Sequence, residues 1–294
     1  MKRIVVTGGA GQVGQALSKQ ICDCSDTFLF PSRDAFDLLS EASMVNGLRE
    51  VKPDLVLNLA AYTAVDRAED EPEFCAAVNA TAPAILARET GRLGVPLIHV
   101  STDYVFSGEL DRPYREDDAT GPINVYGRTK LEGEQAIAAA NPAHVIVRAS
   151  WIISAYRANF VKTMLRLAAD RDTLRVIDDQ IGGPTSADDL ASALLTIINR
   201  YGSKDGLAPG IFHFSNQGEA SWADLAEAVM AAAASLKGVN ARIERISTAE
   251  YPTKARRPRN SRLNTKKFHA TYGLLARNWH EAVSEIVRDL GGRV

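Results

Sequence analysis

Tyr126 and Lys130 lie four residues apart in the segment INVYGRTKLEGEQAIAAA (123–140), whose pattern predicts an amphipathic helix. Positions i and i+4 share one face of a helix, with their Cβ atoms about 5–6 Å apart, so the phenol and the ammonium would be neighbours. The positive charge should lower the tyrosine pKa from its ordinary value of about 10. Such a tyrosine can protonate a carbonyl under reduction or deprotonate an alcohol under oxidation. The same pair also occurs on solvated helix surfaces, so its meaning depends on a hydride carrier elsewhere in the chain.

A glycine-rich turn follows the first predicted strand. β-Branched residues near the N-terminus run into Gly8, Gly11 and Gly14, and a helical pattern begins at Gln12. Glycines here allow a tight turn and close approach to a pyrophosphate, and the helix N-terminus offers free N–H groups to the phosphate oxygens. The spacing is G-x-x-G-x-x-G rather than G-x-G-x-x-G. Its place between a strand and a helix favours dinucleotide binding over an ordinary turn.

The end of the second predicted strand bears on the choice of cofactor. Ser32 and Arg33 occupy the place where an NAD-preferring fold would carry an acid for the ribose 2′-hydroxyl. An arginine suits a 2′-phosphate, which favours NADPH, although a solvated loop arginine is nearly as good an interpretation. Asp37 follows at a position that could border the adenine.

Small and hydroxyl side chains end two further predicted strands. Ala60 and Ala61 would let a cofactor lie close to the backbone, and Ser101 or Thr102 could hydrogen-bond a substrate carbonyl. The carboxyl ends of parallel strands meet at one edge of a sheet, where ligands bind. Because the glycine turn, the small residues and the hydroxyls would all meet at that edge, we interpret Tyr126 and Lys130 as a catalytic pair.

The order of predicted elements indicates the fold class. Strands and helices alternate as far as residue 150, which predicts an α/β fold with a doubly wound parallel sheet of the Rossmann type. We expect residues 1–150, with part of 174–210, to form the dinucleotide-binding domain. Residues 151–294 would form mainly a smaller C-terminal substrate-binding lobe.

Composition excludes several other classes of protein. The 294 residues carry 34 basic and 36 acidic side chains, a net charge of −2 that gives no footprint for nucleic acid or an anionic membrane. Three cysteines form neither a zinc set nor a disulfide framework. No long apolar run or secretory signal is present, so we expect a cytoplasmic protein without a membrane span.

Six further motifs, in order along nearly the whole chain, carry a family resemblance. With TGGAGQVG, STDYVF and YGRTK, the chain resembles an extended short-chain dehydrogenase/reductase. Within that class it is similar to the dTDP-4-dehydrorhamnose reductase family, through NLAAYTAVDRAE, STDYVFSGE, NVYGRTKLEGE, RASWI, DDQIGGPTSADDLA and RPRNSRLNTKKF. The resemblance implies reduction of the 4-keto group of a dTDP-4-keto-6-deoxyhexose, giving dTDP-L-rhamnose, with NADPH or NADH.

The resemblance also implies roles for individual residues. Tyr126 would be the general acid, Lys130 would lower its pKa and bind the nicotinamide ribose, and Thr102 would hold the carbonyl. Residues expected to contact the cofactor are Gly8, Gly11, Gln12, Val13, Gly14, Ser32, Arg33, Asp37, Leu38, Leu59, Ala60, Ala61, Thr63, Tyr126 and Lys130. Residues expected to contact the nucleotide sugar are Val65, Asp66, Thr102, Asp103, Tyr104, Trp151, Asn159, Arg257, Asn260 and Ser261.

The chain departs from the family pattern at two places. Tyr62 stands where the motif often has histidine, and AYRANF replaces a more glycine-rich turn before Asn159. We assign no metal ligands, because the acidic positions that some relatives use for a magnesium-linked dimer are not found. Magnesium and a homodimer both stay open.

Two other functions compete with the reductase. An extended-family nucleotide-sugar epimerase or dehydratase would use the same pair but recycle its cofactor, and a dehydratase would add an acid beside the strand-end threonine, as Asp103 stands beside Thr102. A non-catalytic NADP-binding partner subunit would typically lose Tyr126 or Lys130. Both are retained here, which disfavours that reading.

Overall fold

The computed structural model describes residues 1–22, 25–204, 206–234, 239 and 241–291; Cys24 lies outside these residues. The strands, in chain order, are β1 (Arg3–Thr7), β2 (Thr27–Leu29), β3 (Leu55–Asn58), β4 (Leu97–Thr102), β5 (His144–Ala149), β6 (Ile152–Ile153), β7 (Thr173–Ile177), β8 (Ile181–Gly182), β9 (Thr185–Ser186), β10 (Gly210–Phe214), β11 (Ala220–Ser221) and β12 (Arg242–Ile246).

The α-helices, in chain order, are α1 (Gln12–Gln20), α2 (Glu41–Val51), α3 (Val65–Ala68), α4 (Pro72–Ala76), α5 (Ala82–Leu93), α6 (Val125–Ala140), α7 (Phe160–Ala168), α8 (Ala187–Tyr201), α9 (Trp222–Ala232), α10 (Lys266–Tyr272) and α11 (Trp279–Gly291). A π-helical turn, Ala77–Thr81, joins α4 to α5, and 3₁₀ turns occupy Asp103–Val105 and Thr248–Glu250.

A six-stranded parallel sheet in the order β10-β5-β4-β3-β1-β2 forms the centre of the fold. All residues of β3 are buried, as expected for a parallel strand covered on both faces. The register pairs Thr7 with Asn58 and Thr102 with Ala149, so these strands end side by side. The predicted α/β class with a doubly wound, Rossmann-type sheet is therefore confirmed.

Helices cover both faces of the sheet. One apolar cluster packs the sheet against α1, α8 and α10, and a second packs it against α2, α5 and α6. A further apolar cluster is built from buried residues between Trp151 and Val287, on α7, α9, α11 and neighbouring strands. This cluster agrees with a C-terminal lobe, although β10 joins the central sheet. The division at residue 150 stays a prediction.

Local interactions fix the start of α6, the helix of the Tyr-Lys pair. Asn124 caps it, because its side-chain oxygen accepts a hydrogen bond from the Gly127 N–H at 2.7 Å. A Cβ atom at Gly127 would collide with the carbonyl oxygen of Tyr104. Glycine at this position therefore lets the first turn of α6 lie directly against the segment that follows β4.

None of the helices in the described part of the chain is long and apolar enough to cross a membrane.

Candidate active site

A cleft of about 900 Å³ opens at the carboxyl edge of the sheet. Its lining includes these residues predicted to contact the cofactor: Gly8, Gly11, Gln12, Val13, Gly14, Ser32, Arg33, Asp37, Leu38, Leu59, Ala60, Ala61 and Thr63. Sequence reasoning missed lining residues from more distant segments, namely Phe74, Val78, Ile152, Arg157 and Ala158. RASWI and AYRANF contain Ile152, Arg157 and Ala158, but neither motif indicated a cofactor contact, since only the fold brings these residues to the glycine turn.

The glycine turn fits a dinucleotide. Gly8 has φ +72°, and a Cβ atom there would lie 2.6 Å from the backbone nitrogen of Ala60, so only glycine allows the turn to rest on the end of β3. Gly11 is the N-cap of α1 and has no side chain with which to cap it. The first N–H groups of α1 therefore remain available to phosphate oxygens.

Thr102 and Tyr126 meet at the end of β4. The Tyr126 phenol lies beside the Thr102 side chain, and Tyr104 packs edge-to-face on the Tyr126 ring at 5.8 Å between centroids. Thr102 Oγ1 also donates to Asp103 Oδ1 at 2.9 Å and accepts from the Tyr104 N–H at 3.2 Å. The structure thus brings together the hydroxyl pair that the sequence placed at this edge.

The Lys130 side chain contacts β4. Its Nζ lies 2.8 Å from the Val100 carbonyl oxygen and 3.0 Å from His99 Nε2. Burial lowers the pKa of Lys130 to about 8, against the opposing effect of Glu134.

The expected lowering of the Tyr126 pKa is therefore wrong for this arrangement. Burial raises that pKa above its ordinary value and the Asp103 carboxyl raises it further, although the Thr102 hydrogen bond acts in the other direction. Helical spacing correctly put the phenol and the amine on one face. It could not reveal that the long lysine side chain turns towards acceptors on β4.

Asp103 is a buried carboxyl beside the hydroxyl pair. Only 2% of the residue is exposed, and burial raises its pKa to about 7, which the nearby Ser261 side chain and the hydrogen bond from Thr102 partly oppose. This group therefore changes charge close to neutral pH.

Asp66, Tyr104 and Arg257 form one wall of the site. Arg257 donates to Asp66 Oδ2 at 2.7 Å and lies near the Tyr104 phenol, while Asp66 Oδ1 accepts from the Ala255 N–H at 3.0 Å. An ion pair between Lys254 and Asp70 adds a second link. These contacts hold the segment around Arg257, which the sequence predicted to contact the substrate, against α3, which begins at Val65.

Other predicted substrate residues take part in contacts within the protein. Trp151 stacks on Trp222 at 3.6 Å between ring centroids, a partner that the sequence analysis did not identify. Asn159 caps α7 and donates to the Ser154 carbonyl at 2.7 Å. Asn260 donates to the carbonyl oxygens of Leu110 and Arg112 at 2.6 and 2.8 Å. The two amides fix loops, and their contact with substrate stays a prediction.

Across the residues that the structure describes, no group of three or more histidine, cysteine, aspartate or glutamate side chains is arranged to hold a metal ion.

The sheet, its glycine turn and the threonine-tyrosine-lysine set define the extended short-chain dehydrogenase/reductase class. The family described as "RmlD substrate binding domain" matches residues 1–291. A dTDP-4-dehydrorhamnose reductase of Sinorhizobium fredii (strain NBRC 101917 / NGR234) is 48% identical, over 97% of this chain and 96% of its own length.

Two solved structures are also similar. The crystal structure of a dTDP-4-dehydrorhamnose reductase from Clostridium acetobutylicum has a TM-score of 0.91 at 34% identity, covering 98% of this chain and 99% of that one. That of dTDP-4-dehydrorhamnose reductase from Bacillus anthracis, in complex with NADP, has a TM-score of 0.91 at 30% identity, with the same coverage. The chain belongs to the dTDP-4-dehydrorhamnose reductase family.

Proposed function

We propose that this protein reduces the 4-keto group of dTDP-4-dehydrorhamnose to give dTDP-L-rhamnose, with NADPH as the preferred reductant. The observation that carries the proposal is the placement of the Tyr126 phenol beside Thr102 and Tyr104, at the sheet edge where the glycine-lined cleft opens. Relatives named dTDP-4-dehydrorhamnose reductase match over nearly the whole chain, which supports the substrate.

A nicotinamide cofactor suits the cleft, and two features support NADPH over NADH. Arg33 lies in the lining and can pair with a 2′-phosphate. The Bacillus anthracis relative was solved with NADP. When bound, this cofactor supplies the hydride that adds to the carbonyl carbon.

The chain itself supplies the proton. Tyr126 donates its hydroxyl proton to the carbonyl oxygen as the hydride adds to carbon, so the ketone becomes an alcohol. Its raised pKa keeps it protonated and able to act as an acid at neutral pH. Thr102 would stabilise the developing alkoxide by turning its hydroxyl proton from Asp103 Oδ1 to that oxygen. Hydrogen bonds aimed at developing charge are a large part of catalysis. Lys130 would contact the nicotinamide ribose.

A second group of residues is proposed for the nucleotide sugar. The wall of Asp66, Tyr104 and Arg257 would face the sugar and diphosphate, with part of the Arg257 charge already balanced by Asp66. The stacked Trp151 and Trp222 rings provide an apolar face nearby. A homodimer stays a prediction, which sedimentation equilibrium of the purified protein would test.

The test is NADPH oxidation with dTDP- and UDP-linked 4-keto-6-deoxyhexoses side by side, with the C4 configuration of the product determined. We expect turnover with the dTDP sugar and a rhamnose product. An epimerase or dehydratase would convert the sugar without net NADPH oxidation, and a non-catalytic subunit would bind NADPH without turnover.

A further inference from the structure

A chain of buried polar side chains connects β1 to the lysine of the active site. Thr7 Oγ1 donates to Asn58 Oδ1 at 2.6 Å, Asn58 Nδ2 lies 2.9 Å from His99 Nδ1, and His99 Nε2 lies 3.0 Å from Lys130 Nζ. Each of the four residues is at most 3% exposed. Because buried polar groups satisfy one another, the positions of the protons along this chain can be worked out.

The backbone of Ala60 fixes the orientation of the Asn58 amide. Its N–H lies 3.2 Å from Asn58 Oδ1. A backbone N–H can only donate, so the amide atom that faces it must be the oxygen. The Asn58 NH₂ group consequently faces His99, and His99 Nδ1 accepts from it.

The tautomer of His99 follows. Burial and the nearby Lys130 hold the pKa of His99 well below its ordinary value, so the ring is neutral and carries one proton. Since Nδ1 accepts from Asn58, that proton is on Nε2 and points at Lys130 Nζ.

An N–H that points at Lys130 distinguishes the amine from the ammonium. An ammonium has three donors and no acceptor, so it would meet His99 donor to donor. A neutral amine accepts from His99 Nε2–H with its lone pair and still donates to the Val100 carbonyl oxygen at 2.8 Å. Protonating Lys130 would require the imidazole proton to move to Nδ1 and the Asn58 amide to turn over, leaving the Ala60 N–H against an NH₂ group.

We propose that Thr7, Asn58 and His99 form a positioning chain that stabilises the neutral amine of Lys130 and so sets the pH at which this lysine loses its charge. The other groups that face the lysine act differently. Glu134, one turn along α6, favours the ammonium, but its carboxylate is committed to a buried ion pair with Arg148 at 2.6 Å.

The remaining neighbours are weaker determinants. Cys75, on α4, also favours the ammonium, although burial raises the pKa of its thiol. The Tyr126 phenol stays protonated because burial raises its pKa. The consequence for catalysis rests on the proposed reductase function: the chain would limit activity on the alkaline side, where Lys130 has lost its charge and the contact of an ammonium with the cofactor ribose.

The test reads the protons directly, without cofactor or substrate. In ¹³C,¹⁵N-labelled protein, with the His99 ring signals assigned through their bonds to the backbone, we expect Nε2 protonated and Nδ1 unprotonated at about pH 10, above the Lys130 pKa of about 8. The reverse tautomer, or an even mixture, would overturn the proposal. This measurement uses the unsubstituted protein, so it decides the matter even if a variant fails to fold.

The substitution Asn58→Asp should reverse the direction of the hydrogen bonds between residue 58, His99 and Lys130. A carboxylate accepts from Thr7 and Ala60 and also requires a proton on His99 Nδ1, which leaves Nε2 to accept from an ammonium. We expect the His99 proton to move to Nδ1 and the proton affinity of Lys130 to rise at least about tenfold, read from ¹³Cε-lysine signals assigned with Lys130→Met. If the added charge acted on Lys130 directly and not through the chain, the Lys130 pKa would rise while the His99 proton stayed on Nε2. That result would contradict the proposal.

Asn141→Asp is the matched control. Asn141 is also a buried asparagine, at the other end of α6, where it bonds Thr90 and the Val95 carbonyl. This variant should leave the His99 tautomer and the Lys130 titration unchanged. Since none of these readouts involves turnover, their outcome is independent of whether the reductase assignment holds.

Discussion

Tyr126→Phe isolates the proton donor from the rest of the site. The substitution removes only the hydroxyl, while the ring keeps its place beside Thr102 and its edge-to-face packing on Tyr104 at 5.8 Å. General acids typically contribute about 10²–10⁴-fold to rate. At about 1.36 kcal/mol per tenfold, we expect kcat to fall by an amount that corresponds to roughly 3–5 kcal/mol of transition-state stabilisation.

The assay is steady-state NADPH oxidation with saturating dTDP-sugar, together with NADPH binding followed by fluorescence. Binding should change little, because the hydroxyl acts on the carbonyl during reduction. Tyr272→Phe is the matched control: its hydroxyl is remote from the site and donates to the Ala208 carbonyl at 3.1 Å. Turnover by Tyr126→Phe within a few-fold of the unsubstituted protein, with Tyr272→Phe equally active, would refute the assignment of Tyr126 as the acid.

Three further predictions concern charge in the site. In Lys130→Met, kcat/KM should lose the alkaline decline that the unsubstituted protein shows as pH rises through the lysine pKa of about 8; a decline that persists in the pH–rate profile would contradict this role. For Asp103 the folded-state pKa, about 7, lies above the ordinary 3.8, so folding favours the protonated form and stability falls as pH rises between these values. Urea denaturation across that range should therefore show that the free energy of unfolding of Asp103→Asn rises relative to that of the unsubstituted protein by up to about 4 kcal/mol as pH increases. Parallel curves of unfolding free energy against pH would contradict this prediction. Arg33→Ser should raise KM for NADPH about tenfold and leave KM for NADH nearly unchanged, and an equal effect on both cofactors would exclude a 2′-phosphate contact.

Much of the site could be predicted because its signals are local. The glycine turn requires particular residues at Gly8 and Gly14, where neighbouring backbone leaves no room for a Cβ atom. The α6 pair depends only on helical spacing, and the ends of parallel strands converge for any sequence that forms this sheet. These constraints act within a few residues or through the sheet itself.

The missed features depend on contacts between distant segments. Arg257 pairs with Asp66, which is 191 residues away along the sequence, and Trp222, at the start of α9, stacks on Trp151. The direction of the Lys130 side chain depends on the register of β4, which presents the Val100 carbonyl and His99 to it. No spacing rule along one helix contains that information.

The π-helical turn Ala77–Thr81 is a further example. It places the buried Asn79 so that its side chain accepts from the Tyr62 N–H at 2.8 Å. The sequence showed only a poor helix former within a helical stretch. The widened turn results from packing against α6, where Gly133 meets the Asn79 carbonyl oxygen.

The stoichiometry of cofactor use tests the central claim most directly. With dTDP-4-dehydrorhamnose in limiting amount and NADPH in excess, we predict one NADPH oxidised for each sugar consumed and dTDP-L-rhamnose as the product. Conversion of the sugar with no net loss of NADPH would contradict the account, because it would mean that the hydride returns to the cofactor.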